Sequence, residues 1–130
     1  MRERRNISSG TKWESAVGYS RAVRIGPHVW VAGTTAVDDQ GHIVGEGDAE
    51  AQATFIFGKI DRALRSAGAT IQDAVRTRMY ITDPKHESGV GKAHHAVFAD
   101  ILPVATMITI SGLIDPRLVV EIEVDAYVRE

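Results

Sequence analysis

The sequence contains no cysteine. This rules out disulfides, thiolate metal sites and cysteine nucleophiles, and it fits a reducing compartment, so a cytoplasmic location is expected. Net charge is also scarce. A formal value of -2 offers no electrostatic pull on nucleic acid, and no basic groove with stacking aromatics can be traced. No apolar run is long enough to cross a bilayer, so no membrane partner is expected. The charged start, Met1 to Asn6, leads into Ser8-Ser9-Gly10 rather than an apolar stretch, which does not read as a signal peptide. Repeats, low-complexity segments and linkers are missing too. The 130 residues therefore read as one domain, 1–130, large enough to bury a core without staples.

What is present is periodicity. Arg21 to Ile25 and Val29 to Thr34 read as strands joined at the turn signal Gly26-Pro27-His28. In the second, alternation puts Val29, Val31 and Gly33 on one face and Trp30, Ala32 and Thr34 on the other, with Gly33 marking a bulge or a close approach. Ser8 to Gly18 reads as irregular. Asp48 caps a helix to about Ala67, whose Ala49, Ala53, Ile56, Ile60, Leu64 and Ala67 form an apolar stripe, and Gly68 suits its end. Ala74 to Thr82 alternates, with Val75, Thr77, Met79 and Ile81 facing a core and Arg76, Arg78 and Tyr80 facing away. A second helix is predicted over Lys92 to Ile101, since Gly89 and Gly91 argue against an earlier start. Thr106 to Ser111 and Val119 to Val128 are the last strands. Both helices then cover one face of a mixed sheet, in an α+β fold. The other face is partly apolar, and a partner subunit would cover it most simply.

Few residues suggest chemistry. Glu121 and Glu123 share a strand face, where a carboxylate can orient a water or move a proton, or can simply be solvated or ion-paired. Arg78 can hold a ligand carboxylate in a two-bond fork or pair with a glutamate on a neighbouring strand, Glu121 being the candidate. Adjacent His94 and His95 point about 100° apart on a helix, and His86-Glu87 lacks a zincin's second histidine, so no metal is expected. Gly41, Gly45 and Gly47 make neither a Walker loop nor a dinucleotide fingerprint.

The most specific stretch is Leu102-Pro103-Val104-Ala105-Thr106-Met107, followed by Leu113-Ile114-Asp115-Pro116 and Val120-Glu121-Ile122-Glu123-Val124-Asp125-Ala126. Together with Val31-Ala32-Gly33-Thr34 and Asp73-Ala74-Val75-Arg76-Thr77 it resembles the Rid (YjgF/YER057c/UK114) family, from about Tyr19 to Arg129. The resemblance implies a chorismate-mutase-like fold of about six strands and two helices, assembled as a homotrimer with ligand clefts between subunits. Family deaminases hydrolyse enamines and imines and release ammonia. Matched to their pattern, Tyr19 is the cleft tyrosine, Ala32-Gly33 the small-residue pair and Glu121 the glutamate that positions water. The arginine that clamps the substrate carboxylate is Ala105 here, and an asparagine frequent in the family is Gly91. The expected cleft comprises Tyr19, Gly33, Thr34, Arg78, Ala105 and the catalytic candidate Glu121. It would take a small metabolite, such as a carboxylate, and need no cofactor. The alternatives are a non-catalytic ligand-binding or regulatory trimer, and the endoribonuclease role with which the family is sometimes labelled.

Overall fold

The computed structural model describes residues 3–129. Six strands form a single sheet: β1 (Arg4–Ile7), β2 (Ala22–Ile25), β3 (His28–Thr34), β4 (Ala74–Ile81), β5 (Val104–Thr109) and β6 (Val120–Tyr127). Their spatial order is β1-β2-β3-β6-β4-β5, and only β4 and β5 run parallel. The parallel pair is joined by a crossover, as two strands running the same way require. It carries a short 3-10 turn, Pro84–His86, and the helix α3 (Glu87–Phe98). The longer helix α2 (Ala49–Ser66) links β3 to β4, and a six-residue helix α1 (Lys12–Val17) precedes β2. This is the expected mixed-sheet α+β architecture.

Helix α2 is held at both ends and along one side. The Asp48 side chain accepts from Ala51 N at 3.0 Å. At the other end Gly68 turns the chain out at φ 79°, and Arg24 Nη1 donates to the carbonyls of Ala67 at 2.8 Å and Gly68 at 3.2 Å. A guanidinium there satisfies orphan carbonyls and complements the negative helix end. The stripe read from the sequence is buried throughout, against Val29, Val31, Ile122 and Val124 of the sheet. Ile56, Ile60 and Leu64 each contribute about 1.5–3 kcal/mol, and the alanines less.

Four expectations are corrected. Ser8 to Gly18 is not irregular: it holds α1, whose buried Glu14 accepts hydrogen bonds from Ser9 N and Thr11 Oγ1. Burial pushes that carboxyl up, but the hydrogen bonds from Ser9, Ser8 and Thr11 outweigh it and hold it below its ordinary range. Strand β1, exposed along most of its length, carries no apolar alternation and was not expected. Helix α3 begins at Glu87, five residues before Lys92, because Gly89 serves packing: a Cβ there would stand 3.1 Å from Glu50 N at the start of α2. Finally, β4 carries an extra residue between Ala74 and Arg76, so Ala74 fills the core position and Val75 turns out to 47% exposure.

Candidate functional site

Strand β6 lies between β3 and β4, and its alternation sends Val120, Ile122, Val124 and Ala126 beneath the helices. Glu121, Glu123 and Asp125 therefore line up on the open face. Their surroundings separate them. Arg78 Nη1 reaches Glu123 Oε1 at 3.2 Å and Asp125 Oδ2 at 3.3 Å, and Tyr80 Oη donates to Glu123 at 3.0 Å. Arg76 Nε lies 3.8 Å from Asp125. The partner of Arg78 is thus not Glu121, as the shared face alone allowed; cross-strand register sets Arg78 opposite Glu123 and Tyr80 opposite Glu121.

Glu121 is half-buried and draws on no hydrogen bond among the described residues. Burial pushes its carboxyl up, the Arg21 charge opposes this, and the like charge of Glu123 adds to the rise. A carboxylate whose proton is held more tightly than usual, and whose oxygens are not committed to a structural pair, is free to exchange a proton or orient a water.

Its seat is made by Gly33. Val31 pairs with Val124 and Thr34 with Ile122, so Ala32 and Gly33 together oppose the single residue Glu123. This bulge is the irregularity that a strand glycine foretold. A Cβ on Gly33 would overlap Glu121 Oε2 and stand 3.0 Å from its Cδ. The extra residue also reverses the expected faces beyond it. Thr34 joins Val29 and Val31 on the helix side, 1% exposed, with Oγ1 donating to Ala32 O at 2.8 Å. It does not line the open face.

Tyr19 follows Gly18, whose φ of 93° ends α1, and its backbone N–H donates to Glu14 O at 2.9 Å. Its ring is 42% exposed and borders an open depression of 640 Å³ whose wall includes Arg4, Asn6, Trp30, Arg78, Glu123 and Asp125. Ala105 lies elsewhere. It pairs in register with Thr77, whose buried hydroxyl meets His94 Nε2 at 2.9 Å beneath the helices. Ala105 is therefore on the helix side of the edge strand β5, exposed, across the sheet from Glu121. One protomer brings together Gly33 and Glu121, and Tyr19 and Arg78, but not Ala105. His94, packed on Phe57 and Phe98, has its pKa lowered by burial and acts as a core histidine. Among the described residues no three His, Asp or Glu side chains converge to hold a metal ion.

Sequence reasoning passed over two residues. Arg21, just before β2, donates from Nη2 to Gly33 O at 2.8 Å; following Tyr19-Ser20, it had only its proximity to the cleft tyrosine as a signal. Gln52 is 0% exposed; its Nε2 donates to Arg117 O at 2.9 Å and its Oε1 accepts from Val119 N at 3.0 Å. It stands three residues after Ala49 and four before Ile56, so an amide on the apolar stripe was the available sign.

Because the Arg78 pairs are a third exposed, each is worth about 0.2–1 kcal/mol. Arg78→Ala removes both and should cost no more than about 2 kcal/mol. In double-mutant cycles read by chemical denaturation it should couple to Glu123→Ala and not to Glu121→Ala. Coupling to Glu121 alone would contradict this geometry.

Comparison with known proteins places this arrangement. The family model described as Endoribonuclease L-PSP matches residues 10–128. An uncharacterized protein of Streptomyces coelicolor is 38% identical over 123 residues, covering 95% of this chain and 91% of the relative. A crystal structure from Mycobacterium tuberculosis, described as a member of the YjgF/YER057c/UK114 family, is 50% identical with a TM-score of 0.87, covering 97% of this chain and all of that one. A Yersinia pestis protein of unknown function in the conserved Rid family is 27% identical with a TM-score of 0.83, covering 97% of this chain and all of the other. The family match over residues 10–128 and the shared fold agree, and the chain belongs to the Endoribonuclease L-PSP family, the YjgF/YER057c/UK114 or Rid group of proteins.

Proposed function

We propose that this protein binds a small metabolite, an imine or related carboxylate, in clefts completed by neighbouring copies of the chain in a homotrimer, with Glu121 as the group that handles a proton or a water. The observation that carries the reading is the contrast within one strand: Glu123 and Asp125 are spent on Arg78, while Glu121 is half-buried, seated against Gly33 and unpaired. An activated imine asks only for a positioned water and a proton donor, so this chemistry needs no cofactor.

A second reading, ligand binding without turnover, is favoured by Ala105, which offers no donor where deaminase members of the family carry an arginine. Arg78 is a poor substitute, since a ligand carboxylate would first have to displace Glu123 and Asp125. RNA cleavage, named in the family description, has less support here: the depression beside Tyr19 mixes Arg4 and Arg78 with Glu123 and Asp125, a poor bed for a phosphate backbone.

The test is ammonia release from freshly generated 2-aminoacrylate or 2-iminopropionate. Slow turnover is expected from the unaltered chain, falling by about 100-fold or more in Glu121→Gln, within the range that general acid–base groups contribute. Turnover indifferent to Glu121 would remove the catalytic reading. RNA cleavage lost in Glu121→Ala would favour the nuclease instead. Light scattering at micromolar concentration should give a trimer mass, and a monomer mass would overturn the inter-subunit cleft.

A further inference from the structure

Glu121 has a defined seat although nothing among the described residues hydrogen-bonds it, so something else must shape that seat. The backbone of Arg21 is fixed on both sides, with its N–H donating to Ile7 O at 2.8 Å and its carbonyl accepting from Ala32 N at 3.0 Å. Its side chain turns toward the bulge, where Nη2 donates to Gly33 O at 2.8 Å. Gly33 is the residue whose missing Cβ leaves room for the Glu121 carboxylate. Guanidinium and carboxylate thus meet the same glycine. The Nε–H of Arg21 is buried with no acceptor, the one buried side-chain nitrogen or oxygen so placed among the described residues. A buried donor left open is unusual, because such groups are almost always paired.

A second cation stands nearby. Lys59 Nζ donates to Thr35 O at 3.0 Å and Val37 O at 2.8 Å, holding the segment that leaves the bulge. Burial lowers its pKa, and the charge of Arg21 adds to this. Lys59 is committed to backbone carbonyls, and Arg62 to Asp39 at 3.0 Å. Arg21 is the cation in this corner whose open donor is buried.

We infer that Arg21 is a positioning residue for Glu121: its guanidinium fixes the Gly33 carbonyl that shapes the carboxylate's seat, and its charge acts on that carboxylate across the bulge. The inference rests on the role proposed for Glu121 and deepens it. Without Arg21, burial and Glu123 would act on Glu121 unopposed, and the carboxylate would hold its proton to higher pH.

The experiment is an NMR titration of the Glu121 side-chain carboxyl in the ligand-free protein, so its outcome does not depend on turnover. In Arg21→Gln the Glu121 midpoint should move to higher pH, and in Arg21→Lys, which restores the charge, it should return toward that of the unaltered chain. A folded Arg21→Gln protein with an unmoved Glu121 midpoint, whatever its melting temperature, would reduce Arg21 to a structural residue and overturn the inference. Should Arg21→Gln fail to fold, the coupling is read in the unaltered chain from the Arg21 Nε–H resonance. That resonance should shift with the midpoint of Glu121 and lose the shift in Glu121→Gln; a resonance indifferent to Glu121 would equally overturn it.

Discussion

Gln52→Leu should destabilise the protein by about 2–4 kcal/mol, although leucine fits the apolar stripe of α2 better than glutamine does. Two bonds are lost together: Gln52 Nε2 to Arg117 O, and Val119 N to Gln52 Oε1. The Val119 amide is buried and would have no acceptor, and the Arg117 carbonyl would lose its donor. Leaving a buried polar group unpaired costs about 1–3 kcal/mol, whereas the gain from removing an amide is smaller. The effect should also reach the site. These bonds pin the last residues before β6, and Glu121 is the second residue of that strand. Chemical denaturation checks the stability, and the Glu121 titration checks the displacement. Gln52→Glu gives an independent reading. Its carboxylate can accept from Val119 but repels the Arg117 carbonyl unless protonated, so the folded state should raise its pKa. Its share of stability should be intact at acidic pH and be lost as pH rises through the folded value. A Gln52→Leu protein as stable as the unaltered chain would show that loop and strand are held by something else.

The second large effect concerns Ala105. Arginine there is expected to raise imine hydrolysis by roughly ten- to a hundredfold, the equivalent of one charge-assisted bond to a substrate carboxylate. The fold sets a condition on this gain. Ala105 pairs with Thr77 on the helix side, whereas Glu121 pairs with Tyr80 on the open face, so the two do not share a cleft within one chain. Any gain must come from a Glu121 on a neighbouring copy. Ala105→Arg combined with Glu121→Ala should therefore be inactive alone. Mixed oligomers of that double variant with the unaltered chain should recover part of the gain. Full activity of Ala105→Arg with no recovery on mixing would place arginine and glutamate in one protomer and contradict the arrangement proposed here.

The features legible in the sequence were those written as periodicity. The α2 stripe repeats at helical spacing over eighteen residues and is buried throughout. Strand β6 alternates without interruption and sits centrally in the sheet. Short or exposed elements left no such trace: α1 buries only Glu14, and β1 is an exposed edge. Two residues fell on the wrong face because of single-residue bulges: one at Val75 turns that side chain out of the core, and one at Ala32-Gly33 decides on which side Thr34 falls. The partner of Arg78 is set by the β4–β6 register, which neither strand's own pattern carries. Since the side-chain period of a strand is two, one extra residue reverses every assignment beyond it. Gly33 announced its bulge, but Val75 did not, because nothing about a valine in a strand signals an extra residue. Glu121 itself was legible as a candidate. Its distinction from Glu123 was not, because it lies in what each carboxylate touches.

The edge strand β5 bears on how the protein must be handled. Among the described residues its outer side pairs with no strand, and Val104 and Ile108 are 57% and 47% exposed. The opposite edge, β1, is four residues long and carries Arg4 and Arg5, which discourage strand addition. Across its six residues, Val104–Thr109, β5 has no charge, no proline and no bulge. A sheet edge of this kind is a template for the next chain. A protomer with nothing packed against β5 is thus open to strand addition by another chain along this edge. A lysine at Thr106 would be the smallest change that guards this edge.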